Sequence, residues 1–153
     1  MKNSPGKWIS VVFAFCVLHF FGGNMYAKSS VPYQIKGELK LNSAAEGSGC
    51  NFEGLFSNLA DKAVNSFTIV FYVFDKDGNC PLKNRNNAVI KIEQEISEKK
   101  DYEFAVNMDK LLRVPVDTMQ SDEIEYETEY LYVSTITYCD GSEWTDPFGF
   151  EVF

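Results

Sequence analysis

The chain has 153 residues, with 22 acidic and 14 basic side chains and a formal net charge of −8 at pH 7. This charge argues against nucleic acid as a partner, because phosphate binding requires a basic face. An acidic surface also repels anionic lipid, so basic proteins or cations are the partners that the charge would attract.

The amino terminus has the order of a secretory signal peptide. Lys2 and Lys7 precede an apolar run from Trp8 to Phe21, and the segment NMYAKSS follows, with Ala27 as the expected residue before cleavage. The apolar run has 14 residues, which is fewer than the roughly 20 that a membrane-spanning helix needs. We therefore expect an exported protein that is periplasmic, on the cell surface or secreted.

Two alternatives to cleavage are an uncleaved anchor and a lipoprotein modified at Cys16, which the bulky Phe15 before it disfavours. Cleavage after Ala27 leaves residues 28–153 as the mature chain, with 126 residues, 12 basic side chains and a formal charge of −10. This length corresponds to one domain.

Cleavage would also remove His19, the single histidine of the sequence. Without histidine the mature chain has no Ser-His-Asp or Cys-His nucleophile system and no histidine zinc site. No Cys-x-x-Cys spacing and no glycine-rich phosphate-binding motif occurs either. We therefore expect no metal and no cofactor. A pair of carboxylates, as in glycoside hydrolysis, remains open because acidic residues are abundant.

Alternation of apolar and polar residues predicts strands separated by turns. The expected strands are 33–41, 50–58, 65–75, 88–96, 101–109, 125–138 and 148–153. The third is apolar on both faces, as a strand covered on each side would be, and the one helical candidate is 107–113. Seven short strands of this kind predict an all-β antiparallel sandwich.

The segment EGLFSNLADKAVNSFTIVFYVFDKDGN has a glycine and an asparagine on one strand, a short turn, and an aromatic-aliphatic strand that ends in Asp and Gly. In these features it resembles bacterial extracytoplasmic Ig-like domains marked by an FxLYD pattern. Gly54, Asn58 and Phe71–Asp75 match, with Val for Leu and Phe for Tyr, and the Asp-Gly turn before Trp144 is similar to the closing hairpin. The resemblance, over about 33–153, implies a seven-stranded Ig-like sandwich that binds or spaces proteins and brings no catalytic residues.

We therefore expect a non-enzymatic exported Ig-like module that acts through protein contacts. The alternative is a small enzyme with a carboxylate pair, or a ligand carrier. Trp144 either packs over the end of the core or contacts a partner. The segment DKDGN, Asp75–Asn79, has the composition of a turn and lacks the acidic spacing of a calcium loop.

Three cysteines remain in the mature chain: Cys50, Cys80 and Cys139. An odd number in an exported protein leaves at least one thiol free, modified or paired with another chain. In an Ig-like order of strands, Cys50 and Cys80 fall at the same end of the sandwich and Cys139 at the opposite end. This order favours a Cys50–Cys80 disulfide with Cys139 as the free thiol; the alternative is that all three are reduced.

The segment EIEYETEY places Glu123, Glu125, Glu127 and Glu129 on one face of an extended chain. We expect these carboxylates before the apolar width of the sandwich, where the pattern changes at Leu131. They would form a solvated face whose repulsion deters another sheet edge from pairing. The alternatives are docking of a basic protein partner and a metal or carboxylate-pair site.

Overall fold

The fold is an antiparallel β-sandwich whose strands are divided between two sheets. The computed structural model describes residues 31–42, 49–121 and 125–152. Their strands are β1 (Tyr33–Asn42), β2 (Gly49–Asn58), β3 (Val64–Asp75), β4 (Ala88–Ile96), β5 (Asp101–Asn107), β6 (Tyr126–Tyr138) and β7 (Glu143–Thr145). One sheet has the order β1-β2-β5 and the other β4-β3-β6-β7. The prediction of an all-β, Ig-like sandwich of about seven strands is confirmed. The expected signal peptide, residues 1–27, and Glu123 lie outside the described residues.

The two sheets are joined by stacked phenylalanines. Phe52 of β2 lies over Phe71 of β3 with ring centroids 3.9 Å apart, and Phe56 lies over Phe67 at 4.1 Å. Each of these four side chains is at most 1% exposed. Alternate residues of a strand share a face, so these pairs define the inner face of each sheet.

β6 carries an irregularity that explains why its pattern changes at Leu131. Tyr72 of β3 is opposite Glu129, whereas Val70 is opposite Tyr132, so β6 has one extra residue over this interval. Tyr130 lies in this bulge with φ of 52°, in the left-handed region. The extra residue shifts the alternation of the two faces along the strand.

The carboxyl-terminal part of the chain differs from the prediction. The last described strand is Glu143–Thr145, and the described part of the expected strand, 148–152, forms turns. The carboxylate of Asp146, which is 4% exposed, accepts the backbone N–H groups of Phe150 and Glu151. These hydrogen bonds hold the backbone in a turn and keep those donors out of a sheet.

The connection between β5 and β6 contains more helix than the sequence predicted. The candidate 107–113 contains a 3-10 turn at Asp109–Leu111, and a helix that the prediction omitted, α1, follows at Val116–Ser121. Its Met119 is fully buried in the core, and the carbonyl of Pro115 accepts the N–H of Met119 at 3.2 Å. A helix of six residues is too short to show helical periodicity, so tertiary packing stabilises it.

Candidate functional site

Two of the three described glutamates of the acidic segment lie on the four-stranded sheet. Glu125, Glu127 and Glu129 are exposed, and the last two belong to β6. Glu127 is directly opposite Phe74 of β3, and Glu129 is opposite Tyr72. For Glu127 and Glu129 the expectation of a position before the width of the sandwich is therefore wrong, because β3 is long enough to pair with them. Glu125 precedes β6.

The outer face of the sheet carries these carboxylates. Val73 of β3 is fully buried in the core, so alternation turns its neighbours Tyr72 and Phe74 to the outer side of the sheet, where their rings stack. Phe74 is half-buried and also packs against the core. Residues opposite one another in adjacent strands share a face, and this places Glu127 and Glu129 beside those two rings.

None of the ion pairs found among the described residues involves Glu125, Glu127 or Glu129. Lys99 pairs with Asp61 at 3.0 Å. The guanidinium of Arg113 donates through Nε to the carbonyl of Cys80 at 2.8 Å. These three carboxylates therefore face solvent, as the alternation predicted.

A third ring extends the surface. The side chain of Tyr130 is 58% exposed and meets Tyr72 edge-on, with centroids 5.8 Å apart and planes at 82°. Tyr72 and Phe74 are half-buried, with centroids 6.4 Å apart. We call Tyr72, Phe74, Glu127, Glu129 and Tyr130 the acidic–aromatic face. The aromatic residues of this face were not predicted from the sequence, because β3 was expected to be covered on both faces.

Trp144, the other candidate contact residue, lies elsewhere. It is half-buried in β7, opposite Ile136, and its ring meets that of Tyr33 edge-on with centroids 5.5 Å apart. Tyr33 and Ile136 both belong to the core. Trp144 therefore packs against the core, the first of the two alternatives, on the side of the sheet opposite to Glu127 and Glu129.

The predicted Cys50–Cys80 disulfide is not formed in the structure, where Cys50, Cys80 and Cys139 are all free thiols. Cys50 and Cys80 are both buried in the core, and the Sγ atom of Cys80 donates to the carbonyl of Asn86 at 3.3 Å. Cys139 is exposed, and its N–H donates to Ala63 beside the start of β3. Cys80 follows the other end of β3, so the predicted position of Cys139 at the opposite end is confirmed.

Thiol labelling is expected to separate these cysteines. Burial, with a smaller contribution from nearby Asp109, raises the pKa of the Cys50 thiol to about 12, so little of the reactive thiolate forms in the folded state. At pH 8 the folded mature protein should take up one maleimide, at Cys139, and the urea-unfolded protein should take up three without reductant. Intact mass measures both numbers. A single label after unfolding would instead support a Cys50–Cys80 disulfide.

The other acidic sites have structural partners. Asp75 accepts the backbone N–H groups of Asp77 and Asn79 through Oδ1, and Gly78 has φ of 79°, so DKDGN is a turn, as predicted. Within residues 31–42, 49–121 and 125–152, no group of three or more His, Cys, Asp or Glu side chains could hold a metal ion.

A hollow of about 750 Å³ lies on the three-stranded sheet and is lined by charged residues. Its Lys40 ammonium lies 2.8 Å from Glu53 and 3.4 Å from Glu38. Both carboxylates raise the pKa of Lys40, the Glu53 hydrogen bond most strongly. Two of the three acids that line the hollow, Glu38 and Glu53, share the Lys40 ammonium, and Lys36 lines it as well. This lining differs from the apolar pocket in which the pKa of a general acid is raised.

The described part of the chain contains no helix with the length and apolar character needed to cross a membrane.

Comparison with known proteins bears on the fold. No sequence model of a protein family matches the chain, and no curated protein matches it. A 1.85 Å X-ray structure of a hypothetical protein from Peptoclostridium difficile 630 is similar over 80% of this chain and 90% of that one, with 13% identity and a TM-score of 0.54. An X-ray structure from the Northeast Structural Genomics Consortium covers 73% of this chain and 76% of its own, with 12% identity and a TM-score of 0.36, which supports no argument. The first similarity concerns the fold alone.

Proposed function

We propose that the protein is an exported, non-enzymatic Ig-like module of the FxLYD type that acts through protein contacts in the cell envelope or outside the cell. The acidic–aromatic face is the observation that carries this function. The signal-peptide pattern of residues 1–27 supports the location, and the FxLYD resemblance supports a role in binding or spacing.

The face combines two properties of a protein contact surface. Tyrosine and phenylalanine rings supply apolar area at low cost in side-chain entropy, and such rings are enriched where proteins meet. The carboxylates of Glu127 and Glu129 supply a negative field that no ion pair found among the described residues neutralises. A partner with a basic contact region would match both properties.

Replacement of Glu125, Glu127 and Glu129 by Gln tests this function. We expect the thermal midpoint to hold or rise slightly, because repulsion between like charges is relieved. Solubility should fall, because among the described strands β7 pairs with β6 only at Thr135–Thr137, and the acidic half of β6, which β7 does not cover, loses its charge. Covalent cross-linking of the exported protein in its own cells, read by mass spectrometry, should lose at least one partner.

The matched control replaces Glu95, Glu98 and Glu103 by Gln, which removes the same charge from exposed positions outside the face. The control should retain the cross-linked partner. If solubility falls but the two triple variants capture the same proteins, the carboxylates only deter another strand from pairing with β6. The proposed contact function of this face would then be wrong.

A further inference from the structure

The acidic–aromatic face brings planar rings and carboxylates to the same side of one strand pair. Tyr72 and Glu129 are directly opposite each other, as are Phe74 and Glu127. Side chains at such positions are neighbours, with Cβ atoms about 5 Å apart. The face therefore has two positions, one at each of these pairs, where a ligand group would contact an aromatic ring and a carboxylate at the same time.

Tyr130 closes the arrangement on one side. Because its ring stands at 82° to the ring of Tyr72, the two form a corner of aromatic surface beside Glu129. Its backbone φ of 52° is unfavourable for a bulky side chain, by about 1 kcal/mol. The bulge keeps the ring over the outer face although asparagine or glycine would fit this backbone better.

The charged residues around the face favour a cationic ligand. A hollow of about 570 Å³ beside the face is lined by Phe74, Asp75, Lys76, Gly78, Glu127 and Glu129. Lys76 is the one cation among these residues, against three carboxylates. The Asp75 carboxylate accepts hydrogen bonds within its own turn. Those from Asn79, and to a smaller extent that from Asp77, lower its pKa and keep it ionised. A basic side chain placed here would therefore gain charge complementarity.

Resting on the proposed function, we propose that this face binds an arginine side chain of a protein partner, whose guanidinium lies against the tyrosine corner and hydrogen-bonds to Glu129 or Glu127. A guanidinium is planar and weakly hydrated, so it stacks on an aromatic ring while its edge makes two parallel hydrogen bonds to a carboxylate. A lysine ammonium is a compact, strongly hydrated charge, which cannot satisfy both groups with the same geometry.

The test uses three capped peptides, acetyl-Gly-Xaa-Gly-amide with arginine, lysine or citrulline as Xaa, and the isotopically labelled mature protein. Amide chemical shifts during titration at low salt report both the affinity and the position of binding. The arginine peptide should shift residues of the acidic–aromatic face and bind about two- to fivefold more tightly than the lysine peptide, the range expected for an exposed cation–π contact. The citrulline peptide, which has the shape but no charge, should not bind.

Two variants separate binding from folding. Glu127→Gln with Glu129→Gln should abolish the shifts. Tyr130→Asn should weaken arginine binding about two- to fivefold and remove the preference over lysine, while the unfolding midpoint holds or rises, because asparagine accepts positive φ. The control triple variant at Glu95, Glu98 and Glu103 should bind the arginine peptide as the wild type does.

The outcomes distinguish this inference from the function on which it rests. Equal binding of the arginine and lysine peptides, or shifts outside the face, would overturn the arginine site even if cross-linking still depends on Glu125, Glu127 and Glu129. Concentration-dependent shifts of the face without any peptide, with a dimer in sedimentation, would overturn it in favour of a second copy of this chain. Arginine binding at the face without any cross-linked partner would support the site and contradict the proposed function.

Discussion

Asn58→Asp is expected to lower the free energy of unfolding by about 3–5 kcal/mol at pH 7, because it places an unpaired charge in the core. Asn58 is 1% exposed. Its amide Nδ2 donates to the carbonyls of Lys62 at 2.9 Å and Ser97 at 3.0 Å, and its Oδ1 accepts the N–H of Ala60 at 3.0 Å. A carboxylate keeps the last hydrogen bond but sets a negative oxygen against two carbonyl oxygens.

The loss should depend on pH, and its sign follows from the burial of the new carboxyl. Desolvation and the facing carbonyls raise its folded-state pKa above the unfolded value of about 3.9. The protonated form is favoured in the fold, so the variant regains stability as pH falls towards 4 and loses it as pH rises from there to 7. Urea unfolding at pH 4 and pH 7, each against the wild type at the same pH, measures this difference.

Asn65→Asp is the matched control, since Asn65 is an exposed residue of β3 and undergoes the same chemical change. Its effect should stay within about 0.5 kcal/mol at both pH values. An equal loss for Asn58→Asp at pH 4 and pH 7 would contradict the explanation by buried charge and would indicate a steric cause.

The positions of six strands follow from the sequence because their alternation reports the buried face directly. β4, for example, was predicted at 88–96 and lies at Ala88–Ile96. The end of the chain was not predictable in this way. The apolar residues Phe148 and Phe150 suggested a strand, but they are 69% and 79% exposed. What decides the structure there is the buried side chain of Asp146, and period-2 alternation carries no information on a hydrogen bond of this kind.

The candidate site was predicted in part. Alternation predicts that Glu125, Glu127 and Glu129 share a face and are exposed. All three are exposed, and the structure confirms the shared face for Glu127 and Glu129. That Tyr72 and Phe74 lie beside them depends on the pairing register of β3 and β6, which the bulge shifts. Register between distant strands is a tertiary property, so one sequence indicates the glutamates but not the rings.

Gly54, the glycine that matches the FxLYD pattern, is required by close packing within the three-stranded sheet. It lies opposite Gly37 of β1 on one side and Phe104 of β5 on the other. A Cβ atom at Gly54 would lie 2.4 Å from Cζ of Phe104 and 2.8 Å from the backbone oxygen of Lys36. With Asn58 holding the Lys62 and Ser97 carbonyls, both of these matching residues have structural roles. The matching segment Phe71–Asp75 differs from them, because its Tyr72 and Phe74 belong to the acidic–aromatic face.

Gly54→Ala is therefore expected to lower the free energy of unfolding by about 3 kcal/mol, the upper part of the range for overpacking. The Phe104 ring can turn away only by disturbing its contacts with Phe52 and Phe67, at centroid distances of 6.2 and 5.8 Å. The carbonyl of Lys36 is fixed by the sheet. Gly78→Ala is the control, because that Cβ would meet nothing within 4 Å and only its φ of 79° opposes it; its cost should be about 1 kcal/mol.

Combining Gly54→Ala with Phe104→Leu distinguishes packing against the ring from a general intolerance of side chains at this position. Shortening Phe104 removes the closest contact but leaves the Lys36 oxygen at 2.8 Å. Urea unfolding of the two single variants and the double variant should therefore show a double loss smaller than the sum of the single losses by about 1 kcal/mol or more, the size expected for residues in contact. Additive losses would mean that the backbone of β1, and not the ring of Phe104, is what excludes a side chain from Gly54.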